Sequence, residues 1–436
     1  MGLRYLFSIE TPFQERGDSL MKTQYLGALM KSEKRSLLFI FVTVLVDVIG
    51  VAVIIPVIPE LIGNLAEVSI AEAASIGGMM MMSFSAMQFL FAPVMGELSD
   101  RFGRRPILLI SLFGLGLDYL FHAFAPTIVW LFVGRVIAGI CGATITVANA
   151  YIADVSTPEN KAKNFGMIGA AFGLGFILGP VIGGVFGEYF GFRAPFFVSA
   201  ALALGNMVYG YFILPESLPA EKRRPIVLKN MIPGASLVNL RRYKAFGGLL
   251  IAFFLSHLAG QAMPSVWTFF TIEKFGWSEL EIGASLAAVG FMVVLVQAVL
   301  LGWLVKRLGS HRVVKVGFLF WTTGMILFSM ASQSWQMYAF LVPYALGGIA
   351  GPTIQSLLSN HVPQTEQGNL QGALTSMISL TAIIGPLIHT QLFFFFSGGF
   401  APVYFPGAPF AVGAVFLIVG SVLAIVSMNR LKASSE

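Results

Sequence analysis

Three charged side chains interrupt otherwise apolar stretches of this 436-residue sequence, namely Asp47, Asp118 and Arg135. One unpaired charge at a bilayer centre costs about 2.5–3.5 kcal/mol, so such residues are paired or open to water and mark function by default. Burial raises the pKa of a carboxyl group and a nearby cation lowers it, so a carboxylate between two such settings can load and release a proton. Arg stays charged and serves as a fixed counter-charge. The structural alternative is a buried ion pair that only fixes helix register.

The composition excludes a soluble protein. Hydrophobic residues make up 56% of the chain and charged residues 11%, and the mean hydropathy is +0.81, whereas an average soluble domain is about 25% charged. A soluble chain of this kind would expose large apolar patches, and a disordered chain would be rich in charge. The single cysteine, Cys141, excludes an intrachain disulfide and a Cys-rich metal site, and we expect it to pack as a small side chain.

Twelve apolar segments account for this composition. Each is long enough for a bilayer core, which takes about 20 helical residues. Lipid cannot satisfy free backbone groups, so we expect helices, and the segments are too long and too uniformly apolar for barrel strands. The predicted spans 1 to 12 are 36–57, 75–95, 106–125, 127–150, 164–187, 194–214, 245–270, 280–304, 312–331, 335–359, 367–393 and 409–428.

The distribution of the basic residues indicates which side of the membrane each loop faces. Of the 27 Lys and Arg residues, 24 lie in the two tails or in the loops after the even-numbered spans. The opposite loops hold only Arg193 and Lys274. By the positive-inside rule both termini are cytoplasmic, which requires an even number of spans. The same distribution argues against nucleic acid as a partner, because no single basic patch emerges.

The chain divides into two related halves. The segment from Gly96 to Gly103 matches the segment from Gly302 to Gly309, 206 residues later, and Gly179-Pro180 matches Gly385-Pro386 at the same offset. Such halves indicate a parallel repeat that holds a substrate between them near the midplane. The predicted domains are a cytoplasmic tail (1–35), a six-helix bundle (36–214), a central cytoplasmic loop (215–244), a second six-helix bundle (245–428) and a cytoplasmic tail (429–436).

The intramembrane charges converge in depth. At 1.5 Å per residue, Asp47 and Asp118 lie roughly 16–18 Å from the cytoplasmic face and Arg135 about 12 Å from the other face. His257 reaches a similar depth in span 7, and Gln261 lies one turn further along the same face. We expect the latter two to line the C-terminal part of a cavity, with a hydrogen-bonded structural His as the alternative.

Two further groups are expected to contribute little chemistry. His122 lies near the outer end of span 3, so we expect it at the membrane interface. Met79, Met80, Met81 and Met82 cover all faces of a helix, so we expect them mostly to face lipid.

Two signatures give the sequence a family resemblance. The loop after span 2 reads Gly96-Glu-Leu-Ser-Asp100-Arg101-Phe-Gly103-Arg104-Arg105 and resembles the G-x-x-x-D-R-x-G-R-R/K signature of the major facilitator superfamily. Span 5 resembles the antiporter signature of that superfamily, with a small departure at its centre. Its matching residues are Gly169, Gly173, Gly175, Gly179, Pro180, Gly183 and Gly184.

With Asp47, Asp118 and Arg135 in their spans, the chain is similar over about residues 36–428 to the tetracycline:proton antiporters, a branch of the twelve-span drug exporters. The resemblance implies an all-α membrane protein with two pseudo-symmetric six-helix bundles. It also implies drug export.

The resemblance further implies roles for individual residues. Gly96, Asp100, Arg101, Gly103, Arg104 and Arg105 correspond to a latch that ties the halves together on the cytoplasmic side, and Asp154 ends span 4 at the same face. The alternative for this loop is a plain topogenic basic loop. The resemblance also implies that Arg135 takes part in proton transfer. Our hypothesis is that Asp47 carries the proton and Asp118 contacts the substrate.

The span 5 glycines remove side chains where helices meet, which serves packing and lets the halves rock. Gly179-Pro180 adds a kink, because Pro lacks the helix N–H.

One departure from the family bears on the substrate. Tetracycline pumps of this type commonly carry an Asp in span 9, a few residues after a Gly-Phe pair, and that carboxylate is linked to proton coupling. Here Gly317-Phe318 is followed by Trp321. The drug and the coupling site therefore stay open.

The sequence carries no phosphate loop, no His-Glu-x-x-His motif and no serine nucleophile elbow, so we expect a transporter without catalytic residues, metal or cofactor. The resulting hypothesis is a proton-coupled efflux antiporter in a bacterial cytoplasmic (inner) membrane. It would act as a monomer without an obligatory protein partner. Its substrate would be a small-molecule drug, either free or bound as a divalent-metal chelate. The alternatives are a transporter of another small solute, such as a metabolite or siderophore, and a non-transporting membrane sensor.

Overall fold

A computed structural model describes residues 37–142, 144–157, 160–234, 246–363 and 366–435. The predicted N-terminal tail and residues 235–244 of the predicted central loop lie outside the described residues. Within the described ranges the chain is a set of long apolar helices joined by short connections. Eleven helices qualify as single spans and one bent pair adds the twelfth, so the chain is an all-α, multi-span membrane protein, as predicted.

The observed spans agree with the predicted ones to within a few residues at most ends. Span 1 is Leu37–Val53 plus Ile58–Ala66, and the others in order are Ile70–Phe102, Arg104–Phe124, Ile128–Val155, Asn164–Phe190, Ala194–Ile213, Gly247–Phe275, Glu279–Leu308, Ser310–Met330, Ser334–Asn360, Gln367–Ser397 and Ala408–Leu431. Besides span 1, four spans are interrupted. Their segments are Ile128–Cys141 and Thr144–Val155 in span 4; Gly247–Gly260 and Ala262–Phe275 in span 7; Glu279–Leu295, a π-helical turn Val296–Leu300 and Leu301–Leu308 in span 8; Ser334–Gly347 and Ala350–Asn360 in span 10.

Span 1 is bent by 48° between its two segments. Pro56 lies in the break and Pro59 falls in the first turn of the second segment. Proline lacks the N–H that a helix interior needs and is tolerated in a first turn, so the chain breaks and restarts here.

Corresponding positions of the two halves share local geometry. Gly103 and Gly309, 206 residues apart, end spans 2 and 8 with positive φ angles of 106° and 75°. Glycine is needed there because a Cβ would strain that conformation. Ser69 and Ser278 start the same two spans with capping boxes, in which each serine hydroxyl accepts a backbone N–H three residues on. The internal repeat is therefore visible in the backbone.

One glycine face of span 5 packs against span 1. A Cβ on Gly175 would lie 2.6 Å from Val48 Cγ1, and one on Gly179 would lie 2.5 Å from the Ala52 Cβ. Gly183, one turn further along span 5, lies against the Val53 carbonyl of span 1. These three glycines recur every four residues, so they form one stripe that brings the two backbones together.

The opposite face of span 5 packs against span 8, in the other half. A Cβ on Gly173 would lie 2.7 Å from Val294 Cγ2, and one on Gly184 would lie 2.6 Å from the Glu279 carbonyl oxygen. On span 8, a Cβ on Gly290 would lie 2.9 Å from Ile177 Cγ1 of span 5. Span 5 therefore touches both halves through surfaces without side chains.

The halves meet at the end of the molecule away from the central loop. Gln391 Nε2 of span 11 donates to Ser75 Oγ of span 2 at 2.7 Å, and Gly78 lies against Thr390. At the central-loop end, a Cβ on Gly166 or Gly302 would find no described atom within 4 Å. The described contacts of Gln391 with Ser75 and of Gly78 with Thr390 therefore join the halves at the end away from the central loop.

Replacing Gly173 with Leu is expected to reduce transport per folded molecule at least tenfold, because the side chain must displace Val294 from the contact between the halves. The amount of protein in the membrane should fall by less than twofold. The measurement is substrate efflux normalised to protein detected in membranes.

Gly166→Leu, on the same helix but in open space, is the matched control and should transport like the parent. Equal transport by both variants would show that the contact between spans 5 and 8 does not limit cycling.

Candidate functional site

Asp118 and Arg135 form an ion pair between spans 3 and 4. Arg135 Nη2 donates to Asp118 Oδ2, and His122 Nδ1 lies 3.0 Å from Asp118 Oδ1. The side chains of Asp118 and His122 are fully buried, and that of Arg135 is 12% exposed. The costly intramembrane charges of these two spans therefore compensate each other.

A glycine makes room for this cluster. A Cβ on Gly134 would lie 2.6 Å from Asp118 Oδ1 and 2.9 Å from His122 Cε1, so a larger residue would push into the ion pair. His122 follows Asp118 by one helical turn and stacks on Phe196 at 5.3 Å between ring centroids. His122 is therefore buried between the Asp118 carboxylate and the Phe196 ring, and its depth at the membrane interface stays a prediction.

Asp47 lies in a different setting. It is 7% exposed and lines a cavity of about 160 Å³, here called the Asp47 cavity. Among the described residues, no hydrogen bond or ion pair engages its carboxylate. Gln88 also lines this cavity and donates to the Gly142 carbonyl at 2.9 Å, where span 4 is interrupted. The structure therefore separates a paired carboxylate, Asp118, from one that faces a cavity, Asp47.

Two more cavities lie beside the Asp47 cavity. The Arg135 cavity, about 210 Å³, is lined by Arg135, Ser85, Met80 and Met81 among others. The large cavity, about 490 Å³, lies between spans 5, 7, 8 and 10. Phe176 of span 5 lines all three, so the cavities adjoin at this ring.

The cavities also revise the expectation for the methionine run. Met80 is 2% exposed, and Met79, Met81 and Met82 are half-buried. Met80 and Met81 line the Arg135 cavity, so the prediction that the run faces lipid is wrong for these two. It stays a prediction for Met79 and Met82.

The predicted substrate-binding residues have other neighbours in this conformation. Asp118 lines none of the three cavities, since it lies behind Arg135. His257 Nδ1 is 2.9 Å from the Phe253 carbonyl oxygen, and its ring faces Gly351 of span 10. The Gln261 side chain packs against Gly385 of span 11. Their contact with substrate stays a prediction.

The predicted latch residues gather at the central-loop end. Arg104 Nη1 lies 2.5 Å from Asp100 Oδ1, and its Nε donates to Asp154 Oδ2 at 3.1 Å. Arg105 donates to the Tyr211 carbonyl at 2.5 Å, while Arg101 is exposed. The structure thus brings together most of the predicted cluster, and the partners it shows belong to spans 2, 3, 4 and 6. A latch between the halves stays a prediction.

Sequence reasoning missed the segment that follows span 6. Glu216 accepts the backbone N–H of Arg104 at 2.9 Å and that of Arg105 at 3.3 Å, which places a carboxylate at the start of span 3. That position is favourable because free N–H groups and the helix dipole meet there. Arg224 Nη2 lies 2.5 Å from Asp100 Oδ2. The sequence signal was a lone Glu between the prolines that begin the loop.

Comparisons with known proteins agree with this architecture. The model of the Major Facilitator Superfamily matches residues 40–386 and again residues 249–435. The tetracycline resistance protein, class C, of Escherichia coli is 40% identical over 84% of this chain and 91% of that protein. The class E protein of Escherichia coli is 39% identical over 82% of this chain and 88% of that protein.

A solved structure shares the fold. The crystal structure of a bacterial homologue of the human lysosomal transporter Spinster, described as inward-facing and occupied, superposes with a TM-score of 0.73. It is 17% identical and covers 90% of this chain and 96% of that chain, so the likeness is one of fold alone.

Removing one partner of the buried pair should destabilise the protein strongly. Arg135→Gln and Asp118→Asn each leave a buried charge uncompensated, which typically costs about 3–5 kcal/mol. The double variant removes both charges and should lie closer to the parent than either single variant. Thermal unfolding of the purified protein in detergent measures all four. If the double variant loses the sum of the two single losses, the side chains are not coupled.

Proposed function

Because the chain belongs to the Major Facilitator Superfamily, we propose that it is a proton-coupled exporter of a drug, tetracycline-like in class, that works by alternating access. The proposal is supported by relatives named tetracycline resistance proteins at 39–40% identity. It is also supported by the contacts that join the two halves at the end away from the central loop. A cytoplasmic (inner) bacterial membrane, cytoplasmic termini and a monomer acting without a protein partner belong to the same proposal.

The observation that carries the proposal is the junction of cavities at Phe176. On one side lies Asp47, a buried carboxyl group without a described partner, and on the other a cavity large enough for a drug. A charged carboxylate is costly in this setting and a protonated one is not. Loading a proton on Asp47 therefore changes the energy of any rearrangement that alters its exposure. A substrate in the adjoining cavity changes the same equilibrium.

Each ionised residue takes a distinct role in this scheme. Asp47 carries the proton, and Arg135 stays charged and holds its place through the ion pair with Asp118. The latch residues act in the opposite state, when the central-loop end is closed. There Asp100 exchanges Arg224 for a group of the C-terminal half.

Tetracyclines, as the free drug or as a divalent-metal chelate, are the first substrates to test. A second candidate is another small solute, such as a metabolite or siderophore. That candidate is favoured by Trp321, an indole in span 9 where tetracycline pumps of this type commonly have a carboxylate.

The test is a drug panel in an efflux-deficient bacterial host that expresses the chain, with and without a protonophore. We expect resistance to at least one drug, tetracycline first, and loss of that resistance when the proton gradient collapses. Absence of a phenotype for every drug would favour the second candidate.

Asp47→Asn locates the proton site within the same assay. We expect at least a tenfold loss of gradient-driven efflux with normal amounts of protein in the membrane. Gln88→Leu, which changes a neutral neighbour in the same cavity, is the control and should retain proton coupling. Undiminished proton-driven efflux by Asp47→Asn would contradict the assignment.

A further inference from the structure

Among the described residues, the large cavity is lined by two polar side chains. Of its 16 lining residues, Gln297 and Tyr344 carry polar side chains and the rest are apolar or glycine. None of the 16 is charged. Its volume of about 490 Å³ falls in the range of pockets that enclose drug-sized ligands, about 300–1,000 Å³. A cation that entered it would lose hydration without gaining a counter-charge.

An unusual backbone feature places Gln297. Span 8 widens into a single π-helical turn at Val296–Leu300, between two α-helical segments. Such turns are rare and are found frequently at functional sites. The Gln297 side chain lines the cavity from this turn, is exposed, and has no hydrogen bond among the described residues. Its amide therefore has a free donor and a free acceptor.

Trp321 packs at the cavity wall. A Cβ on Gly260, a lining residue, would lie 3.3 Å from the Trp321 ring, and Gly347 also packs against that ring. Trp321 and Tyr344 meet edge to face at 6.4 Å between centroids. The indole Nε1 is buried and has no hydrogen-bond partner in the described part of the chain. An aromatic wall therefore closes the side of the cavity formed by spans 7 and 10.

The intramembrane Asp and Arg charges line or border the two adjoining cavities. Arg135 lines the Arg135 cavity and is paired with Asp118, and Asp47 lines the smallest of the three. None of them is a lining residue of the large cavity. An ionised substrate in the large cavity would therefore face a carboxamide, a phenol and hydrocarbon.

We propose that the large cavity binds a ring-containing substrate in a form without net positive charge, and that the Gln297 amide makes the selecting hydrogen bond. This inference rests on the proposed function and specifies its substrate class. Flat rings stack on the aromatic side chains of the cavity, and a single N–H or oxygen on the ligand pairs with the amide. A permanently cationic ligand, or a drug bound as a positively charged metal chelate, is excluded from this cavity by desolvation.

The test compares two probes on the full-length chain in detergent. N-phenyl-1-naphthylamine is uncharged, has three aromatic rings and carries one N–H, and its N-(trimethylammonio)phenyl analogue is permanently cationic. Quenching of tryptophan fluorescence gives both dissociation constants. We expect the neutral probe to bind at least tenfold more tightly. Tetracycline is measured in parallel with and without Mg²⁺, and we expect Mg²⁺ not to improve its binding.

Variants locate the site. Gln297→Leu should weaken binding of the neutral probe about tenfold, and Gln297→Glu should improve binding of the cationic analogue. Val299→Ala, on the same turn but outside the cavity, should leave both constants unchanged. Size-exclusion profiles establish that each variant is folded, and the comparison of the two probes on the parent protein needs no variant.

The inference is overturned if the cationic probe or the Mg²⁺ chelate binds as tightly as the neutral probe, or if Gln297→Leu changes neither constant. The proposed function fails separately, through a lack of protonophore-sensitive efflux. If gradient-driven efflux is unchanged by Gln297→Leu, the proposed exporter function holds but the assignment of substrate binding to Gln297 is wrong.

Discussion

A charge inside a bilayer is expensive unless another charge or water compensates it, and the architecture of this protein depends on how that cost is met. Asp118 meets it by pairing with Arg135, and Gly134 provides the space. Asp47 meets it by facing a cavity. In the C-terminal half, the positions 206 residues after these three charged residues are Phe253, Gly324 and Leu341. The repeat therefore keeps the fold in both halves but places the described intramembrane Asp and Arg charges of the core in the first.

The glycines of span 5 connect this asymmetry to movement. One stripe lies on span 1 beside Asp47, since Gly175 touches Val48, the residue next to it. The other face lies on span 8, where Gly173 touches Val294, one turn before Gln297. The glycines of span 5 therefore contact directly both the span that carries Asp47 and the span that carries Gln297. Because such packed contacts tolerate little deformation, they favour discrete arrangements of the halves over gradual ones.

Much of this organisation follows from patterns that are local in the sequence. Apolar length predicted the twelve spans, and the spacing of Gly96, Asp100 and Gly103 predicted the family and the clustered loop. Depth along each helix predicted that Asp118 and Arg135 approach each other. It did not predict which carboxylate takes the arginine, because depth says nothing of rotation about the helix axis. For the same reason it did not predict that His122 is buried against Asp118.

Other features depend on contacts between segments that are distant in the chain. Glu216 caps span 3 from more than a hundred residues away, and nothing in its own neighbourhood reveals that partner. The π-helical turn that carries Gln297 has no sequence signal comparable to proline or glycine. The assignment of Gln297 and Tyr344 to one cavity required the packing of spans 5, 7, 8 and 10.

We expect the protonation state of Asp47 to set the relative arrangement of the two halves. Pulsed electron paramagnetic resonance measures this arrangement, with spin labels on Phe102→Cys and Leu308→Cys, two exposed positions at the central-loop end, in a Cys141→Ser background. The distance distribution should shift with pH in this protein. It should be single and independent of pH when Asp47→Asn is added. A pH-dependent shift that persists in the Asp47→Asn protein would show that another group controls the arrangement.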